Sequence, residues 1–372
     1  MALILRRWLA AAVVLALGGP VLAQQEPEGE KPKPDPAQQA DIRALVGAVD
    51  EFAGGQPASS TLPLRWAQHH FIKSQGGRTY VPFTVTIDPA AFSGATPIGL
   101  YLRVASRGQT PPAAASGKQD DQAAAARPQY PFEDVFFLEA AAAADGEPNV
   151  LRRAFAVPPG DYDVYVAVKE RGPAGAPVAS TDGDQAAAPP ADPPSARLGI
   201  VKEELTVPAL EGGAGLQTSS VIVAETAQVL EQPLTTERQA DHPYTFGQMR
   251  LVPSLDYAFT KQDELSVIFW IYDAALDPAT KKPNLQVDFE FHQKLAEGEK
   301  YFNKTEPQLL NAETLPPQFD LEAGHQLPGS LAVPLASFPE GDYRLAIKIE
   351  DKVANITETR EVTFTVAAPA QP

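Results

Sequence analysis

Apolar and polar residues alternate along much of this chain with the period of two that marks a half-buried β-strand. The clearest cases are two segments opened by the same kind of turn. Pro158-Pro159-Gly160-Asp161-Tyr162 leads into a strand ending near Glu170, and Phe338-Pro339-Glu340-Gly341-Asp342-Tyr343 into one ending near Glu350. Tyr162, Val164, Val166 and Val168 fall on one face, as do Tyr343, Leu345, Ile347 and Ile349. Three further stretches match in the same order: Tyr80–Asp88 with Leu265–Asp273, Leu100–Val104 with Leu285–Phe291, and Glu203–Val207 with Glu361–Val366. A spacing of roughly 180–185 residues describes a duplicated domain, because solenoid units run about 20–50 residues. With no long helical pattern between the strands, the reading is all-β: two tandem antiparallel β-sandwiches, each strand wet on one face and dry on the other.

A helical period occurs near the start, where Ile42, Leu45, Val46 and Val49 fall at i, i+3, i+4 and i+7. Asp41 is its predicted N-cap and Gly54-Gly55 its stop. The preceding Gln24–Gln39 is charged, Pro-rich and almost free of apolar residues, which predicts a disordered tether. Before that, Arg6-Arg7, the apolar run from Trp8 and the small residues ahead of Gln24 have the layout of a secretory signal peptide. The run to Ala23 falls short of the roughly 20 residues of a spanning helix; an uncleaved anchor is the alternative. The predicted division is 1–23 signal peptide, 24–60 tether and short helix, 61–208 first sandwich, 209–244 connector, 245–367 second sandwich and 368–372 tail. Two Ala/Pro/Asp-rich stretches, 109–128 and 172–196, are predicted surface insertions in the first sandwich.

The Gly-Asp-Tyr162 and Gly-Asp-Tyr343 turns resemble the tyrosine corner of immunoglobulin-like and fibronectin-type sandwiches, where the hydroxyl returns to nearby backbone. The resemblance implies Ig-like modules with Tyr162 and Tyr343 in structural roles. Val164 and Leu345 stand where an antibody domain has a disulfide cysteine, and the chain has no cysteine. Tyr101 and Phe289 or Phe291 would fill the volume of the missing third-strand tryptophan. Leu216–Val366 is also similar to Ig-like regions of secreted bacterial proteins associated with GWxTD-type or VWA-type modules. The similarity lies in LQTSSVIVAE (216–225), MRLVPS (249–254), FNKTEPQLLNAETLPPQFD (302–320) and FPEGDYRLAIKIEDKVA (338–354). It implies envelope-side binding or scaffolding; neither the GWxTD motif nor an Asp-x-Ser-x-Ser site is present, so those modules' own activities do not follow.

Composition narrows the chemistry. A formal charge of −17 repels nucleic acid and anionic lipid unless there is a local basic patch, and the sequence displays none. Zero cysteines exclude disulfides and thiolate metal sites. The 37 prolines in 372 residues are about twice the usual share of roughly 5%, which favours turns and strand edges over long helices. No Walker loop, dinucleotide motif or nucleophile elbow occurs, so no catalytic residue, cofactor or metal is assigned. The five histidines are His69, His70, His242, His292 and His325; the adjacent pair would point to opposite faces of a strand. Asp256, Asp263, Asp273, Asp277 and Asp288 lie around turns without a calcium-loop spacing. Candidate ligand contacts are Trp66, His69, His70, Trp270 and Tyr272.

The functional expectation is a periplasmic or extracellular, non-enzymatic protein that binds or scaffolds an envelope protein or polysaccharide, without nucleic acid and without a membrane span once the leader is removed. The alternatives are a carbohydrate-binding accessory module, which needs solvent-facing aromatics in a flat row, and a hydrolase with an unrecognised site. Deleting 172–196 should leave the melting temperature nearly unchanged in a thermal melt, and a large drop would show that this insertion packs.

Overall fold

The computed structural model describes residues 33–57, 61–92, 95–108, 128–140, 148–171, 197–213 and 215–368. The predicted leader, the first part of the tether and almost all of both insertions lie outside them. The first strands are β1 (Leu64–His69), β2 (Ile72–Lys73), β3 (Thr79–Ile87), β4 (Thr96–Ser106), β5 (Phe132–Ala140), β6 (Asn149–Val157), β7 (Gly160–Glu170) and β8 (Leu198–Val207). One sheet has β3 between β1/β2 and β6; the other runs β5-β4-β7-β8. Their facing residues, among them Val81, Phe83, Val85, Leu100, Leu102, Val164, Val166 and Leu205, enclose one core.

The remaining strands are β9 (Gln217–Thr218), β10 (Ile222–Val229), β11 (Thr245–Phe246), β12 (Met249–Pro253), β13 (Ala258–Thr260) and β14 (Glu264–Tyr272). They continue with β15 (Leu285–Leu295), β16 (Gly298–Lys304), β17 (Gln308–Leu310), β18 (Leu327–Pro334), β19 (Gly341–Asp351) and β20 (Ile356–Ala367). One sheet runs β11-β12-β10-β14-β18 and the other β13-β20-β19-β15-β16, with β9 on β14 and β17 on β15. Among the described residues only β13 pairs in parallel, with β20. The chain is thus all-β, with β-sandwich packing in both halves. The four matched sequence segments take equivalent places: β3 and β14 are followed by β4-β7-β8 and β15-β19-β20, in the same neighbour order.

The repeated turns are built alike. The Tyr162 hydroxyl donates to the Pro158 carbonyl at 2.9 Å, and Tyr343 to Pro339 at 2.7 Å. Gly341 precedes the second tyrosine with φ 140°, a conformation that disfavours any residue with a Cβ. Val166 and Ile347 have no exposed surface, because period-two alternation directs them between the sheets.

Three local expectations change. Helix α1 spans Pro36–Ala53 and starts earlier than the apolar period indicates. Asp35 accepts from the Gln38 N–H, Gln38 accepts from the Asp35 N–H, and Pro36 opens the first turn, so a capping box begins the helix inside the predicted tether. Asp41, the predicted cap, instead binds Lys169 at 2.5 Å and Arg171 at 2.9 Å. Second, the outer face of β4 and β7 is not wet. Leu45 and Val49 of α1 cover Tyr101, Tyr165 and Ala167, and the wholly buried Arg103 reaches Asp50 at 2.6 Å. Third, the stretch read as a connector, 209–244, contains β10, whose buried Ile222, Val223 and Ala224 pair with β14, and the short helix α2 (Thr236–Asp241).

Removing the Tyr343 hydroxyl in Tyr343→Phe should lower stability by about 1 kcal/mol. Leu345→Ala, at a position with no exposed surface, should cost about 2–5 kcal/mol through the cavity it leaves. Denaturant melts that leave both variants unchanged would contradict the strand assignment.

Candidate functional site

Strand β14 is buried at every position after Glu264 and, apart from Ser266, carries only aliphatic and aromatic side chains there, as befits a strand covered on both faces. Leu265, Val267, Phe269 and Ile271 enter the core of the second sandwich. Ile268, Trp270 and Tyr272 face the other way, into a cluster with Phe71, Ile72 and Tyr80 of the first sandwich and with Tyr244, Phe246 and Leu251. This cluster joins the two halves. Its tyrosine tips are paired across the junction, while Trp270 Nε1 is buried without a hydrogen-bond partner: Lys73 N–H donates to the Tyr272 hydroxyl at 3.1 Å, Tyr80 to the Pro243 carbonyl at 2.9 Å, and Phe71 and Ser220 exchange two bonds of 2.8 and 2.9 Å.

The sequence-derived candidates divide here. His70, Trp270 and Tyr272 come together in or beside the junction, with exposures of 3%, 0% and 7%. The Tyr244 hydroxyl lies 3.0 Å from His70 Nδ1 and 3.2 Å from the Pro82 carbonyl, within hydrogen-bond reach of both. Trp66 and His69 form a separate pair on β1: the indole N–H donates to His69 Nδ1 at 3.2 Å, and the indole stacks on Phe83. Trp66, Trp270 and Tyr272 therefore do not form the flat solvent-facing row that a sugar platform requires. Trp270 and Tyr272 are consumed by packing between sandwiches, a contact no strand periodicity shows. The turn carboxylates hold backbone: Asp277 accepts from Ala279 and Thr280, Asp263 from Thr260, and Asp256 from Ala258.

Beside the junction opens a cleft of about 690 Å³ between β5 and β6 on one side and residues 241–252 on the other. Arg152, Arg153 and Arg250 line it. They share it with Glu139 and Asp241, so three cations face two carboxylates, brought together from positions about a hundred residues apart in sequence. Arg153, 6% exposed, donates to Asp241 at 3.1 Å and to the Arg152 carbonyl at 2.7 Å, and its guanidinium lies over the Phe136 ring. Burial pushes the pKa of Arg152 down; Tyr244 and Glu225 oppose the shift and the Arg250 charge adds to it. Of the buried side-chain atoms without a hydrogen-bond partner among the described residues, Arg152 Nε, Arg153 Nε and Thr245 Oγ1 belong to residues of this lining. The sequence signal for this site was the Arg152-Arg153 doublet inside the otherwise apolar VLRRAFAV of β6.

Fold and junction define the class as a two-sandwich all-β protein. No protein-family model matches the chain, and no curated protein sequence matches it. Among solved structures, it is similar to a family 123 glycoside hydrolase from Clostridium perfringens at 9% identity and TM-score 0.23, over 43% of this chain and 28% of that one. It is similar to red sea bream transglutaminase at 10% identity and TM-score 0.20, over 86% and 33% of the two chains. It is also similar to Escherichia coli α-2-macroglobulin at 12% identity and TM-score 0.22, over 84% and 24%. The chain spans a third or less of the length of each. Among the described residues no helix is long and apolar enough to cross a membrane.

The junction should be acid-sensitive. Burial, with His69 adding its charge, lowers the His70 pKa from 6.5 to about 3. In that window the unfolded chain binds a proton that the folded chain excludes, so stability falls as pH drops, by at most about 1.4 kcal/mol per pH unit. Thermal melts between pH 6.5 and 5 should show a shallower decline for His70→Gln than for the parent chain; equal slopes would refute this role.

Proposed function

We propose that this chain is an exported, non-enzymatic binding protein of the cell envelope whose two modules are Ig-like and hold a ligand in the cleft beside their junction. The observation that carries the reading is the cleft itself: about 690 Å³, with arginines on both walls, in a molecule of charge −17. Sites for ligands favour such inter-domain concavities, where apolar walls frame a few placed polar groups. The Ig-like assignment is supported by the common strand order of the two sandwiches and by the two tyrosine hydroxyls bonded four residues back. The non-enzymatic reading is supported by three of the five histidines, whereas His242 lines the cleft. His70 is held by Tyr244, His69 by Trp66, and His325 Nδ1 accepts from the Asp320 N–H, all structural contacts.

Export is supported by the leader-like residues 1–23, and the mature chain purified from producing cells should begin at Gln24. A photo-crosslinker at Leu138 or Val252, both lining the cleft, should trap an envelope component that the same group at the remote, exposed Leu309 does not. Equal trapping from all three positions would overturn the cleft as the binding site. A serine labelled by a hydrolase activity probe would overturn the non-enzymatic reading.

A further inference from the structure

We propose that the cleft accepts an extended acidic peptide segment of a partner protein, added as a strand along the open edge of β6, with its carboxylates on Arg152 and Arg250. The inference rests on the binding-protein reading above and narrows its ligand to one chemistry.

Four observations lead to it. Among the described residues strand β6 hydrogen-bonds to β3 on one side only, so its other edge offers backbone N–H and C=O groups to an incoming strand, the Arg152 carbonyl already accepting from Arg153. Val150 to Arg153 of that strand form part of the cleft wall. Within the cleft the three guanidiniums are not equivalent. Arg153 is paired with Asp241, whereas among the described residues Arg152 and Arg250 have no carboxylate oxygen within 4 Å, Glu225 acting on Arg152 only from farther away. A planar guanidinium presents a fork of donors that fits a carboxylate at two points, and the contact gains strength where water is partly excluded.

The polar atoms point the same way. Thr245 is 2% exposed and lines the cleft, and its Oγ1 has no partner; neither has Arg152 Nε. Buried donors left unpaired are unfavourable, and a bound carboxylate supplies acceptors for them. The rest of the wall argues for a peptide over an acidic sugar. Phe137, Leu138, Leu251 and Val252 offer apolar surface that alternate side chains of a strand would cover, whereas sugar hydroxyls would lie against it unpaired. Glu139 lines the same cleft and Glu225 lies near Arg152, so a uniformly acidic chain is disfavoured relative to one alternating acidic and apolar residues.

The test is fluorescence anisotropy with the full mature chain and a labelled alternating Glu–Val octapeptide. Binding should occur, weaken with added salt, and fall by about tenfold or more in the Arg152→Gln/Arg250→Gln double variant. Arg65→Gln, on the exposed side of β1, should bind as the parent does. A Lys–Val peptide should not bind, and N-methylation of every second residue of the Glu–Val peptide should abolish binding, since an added strand needs those amides. If the double variant loses its folded melt, Arg250→Lys provides the decision, because it keeps the charge but not the fork and should weaken binding several-fold. No binding by the parent chain, undiminished binding by the arginine variants, or equal binding of the N-methylated peptide would overturn the proposal. So would arginine-dependent binding of polygalacturonate or inorganic phosphate that displaces the peptide at equal charge. A cleft-specific crosslink without peptide binding would defeat this inference and leave the binding-protein reading standing.

Discussion

The arrangement depends on β14 being covered on both faces. An inner strand with apolar side chains at consecutive positions cannot leave either row in water, so the row Ile268, Trp270, Tyr272 needs a lid just as the row Leu265, Val267, Phe269 needs a core. The lid comes from the first sandwich and from the 244–251 segment. Because Tyr and Trp carry polar tips, the lid must also satisfy them, and the backbone of Lys73, Pro82 and Pro243 does so for three tyrosines. The junction is therefore both an apolar seal and a set of directional bonds. That combination fixes where β6 stands relative to Arg250, and so creates the cleft.

The same rule governs the cations. Arg103 is buried under α1 and meets Asp50 and the Tyr101 hydroxyl, while Asp41 serves Lys169 and Arg171. Arg153 is buried at the cleft and meets Asp241. Each of these pairings offsets the cost of removing a charge from water. Arg152 and Arg250 depart from this pattern: they share a partly enclosed space in a molecule with a large excess of acid. The proposed strand site would draw on this departure from otherwise consistent pairing.

Helix α1 shows how a readable local signal can be passed over. The Asp35-Pro36-Ala37-Gln38 sequence contains both halves of a capping box and a first-turn proline, but the apolar period starts only at Ile42, and period outweighed cap. The first turn of α1 has no apolar face to bury, so its start is decided by backbone N–H satisfaction alone. Asp41 had the right chemistry for a cap. It is used instead as a counter-ion, because the helix lies across β7 and brings Lys169 within reach.

What the sequence determined by itself was local or repeated. The strand faces, the two Gly-Asp-Tyr turns and the order of the four matched segments were legible because period-two burial and turn geometry are short-range properties of the chain. Tertiary structure alone decided which outer faces stay wet. Tyr101 reads as a filler of the sandwich core and Tyr165 as a solvent-side residue, but both lie on the outer face that α1 covers, and Trp270 and Tyr272 read as ligand contacts until Phe71 and Ile72 cover them. The cleft belongs to this second group, because Arg152 and Arg250 meet only through the docking of one sandwich on the other. Burial by a distant element leaves no periodic trace in the strand it covers, since an apolar side chain is written the same way whether it faces a ligand, a helix or a second sandwich.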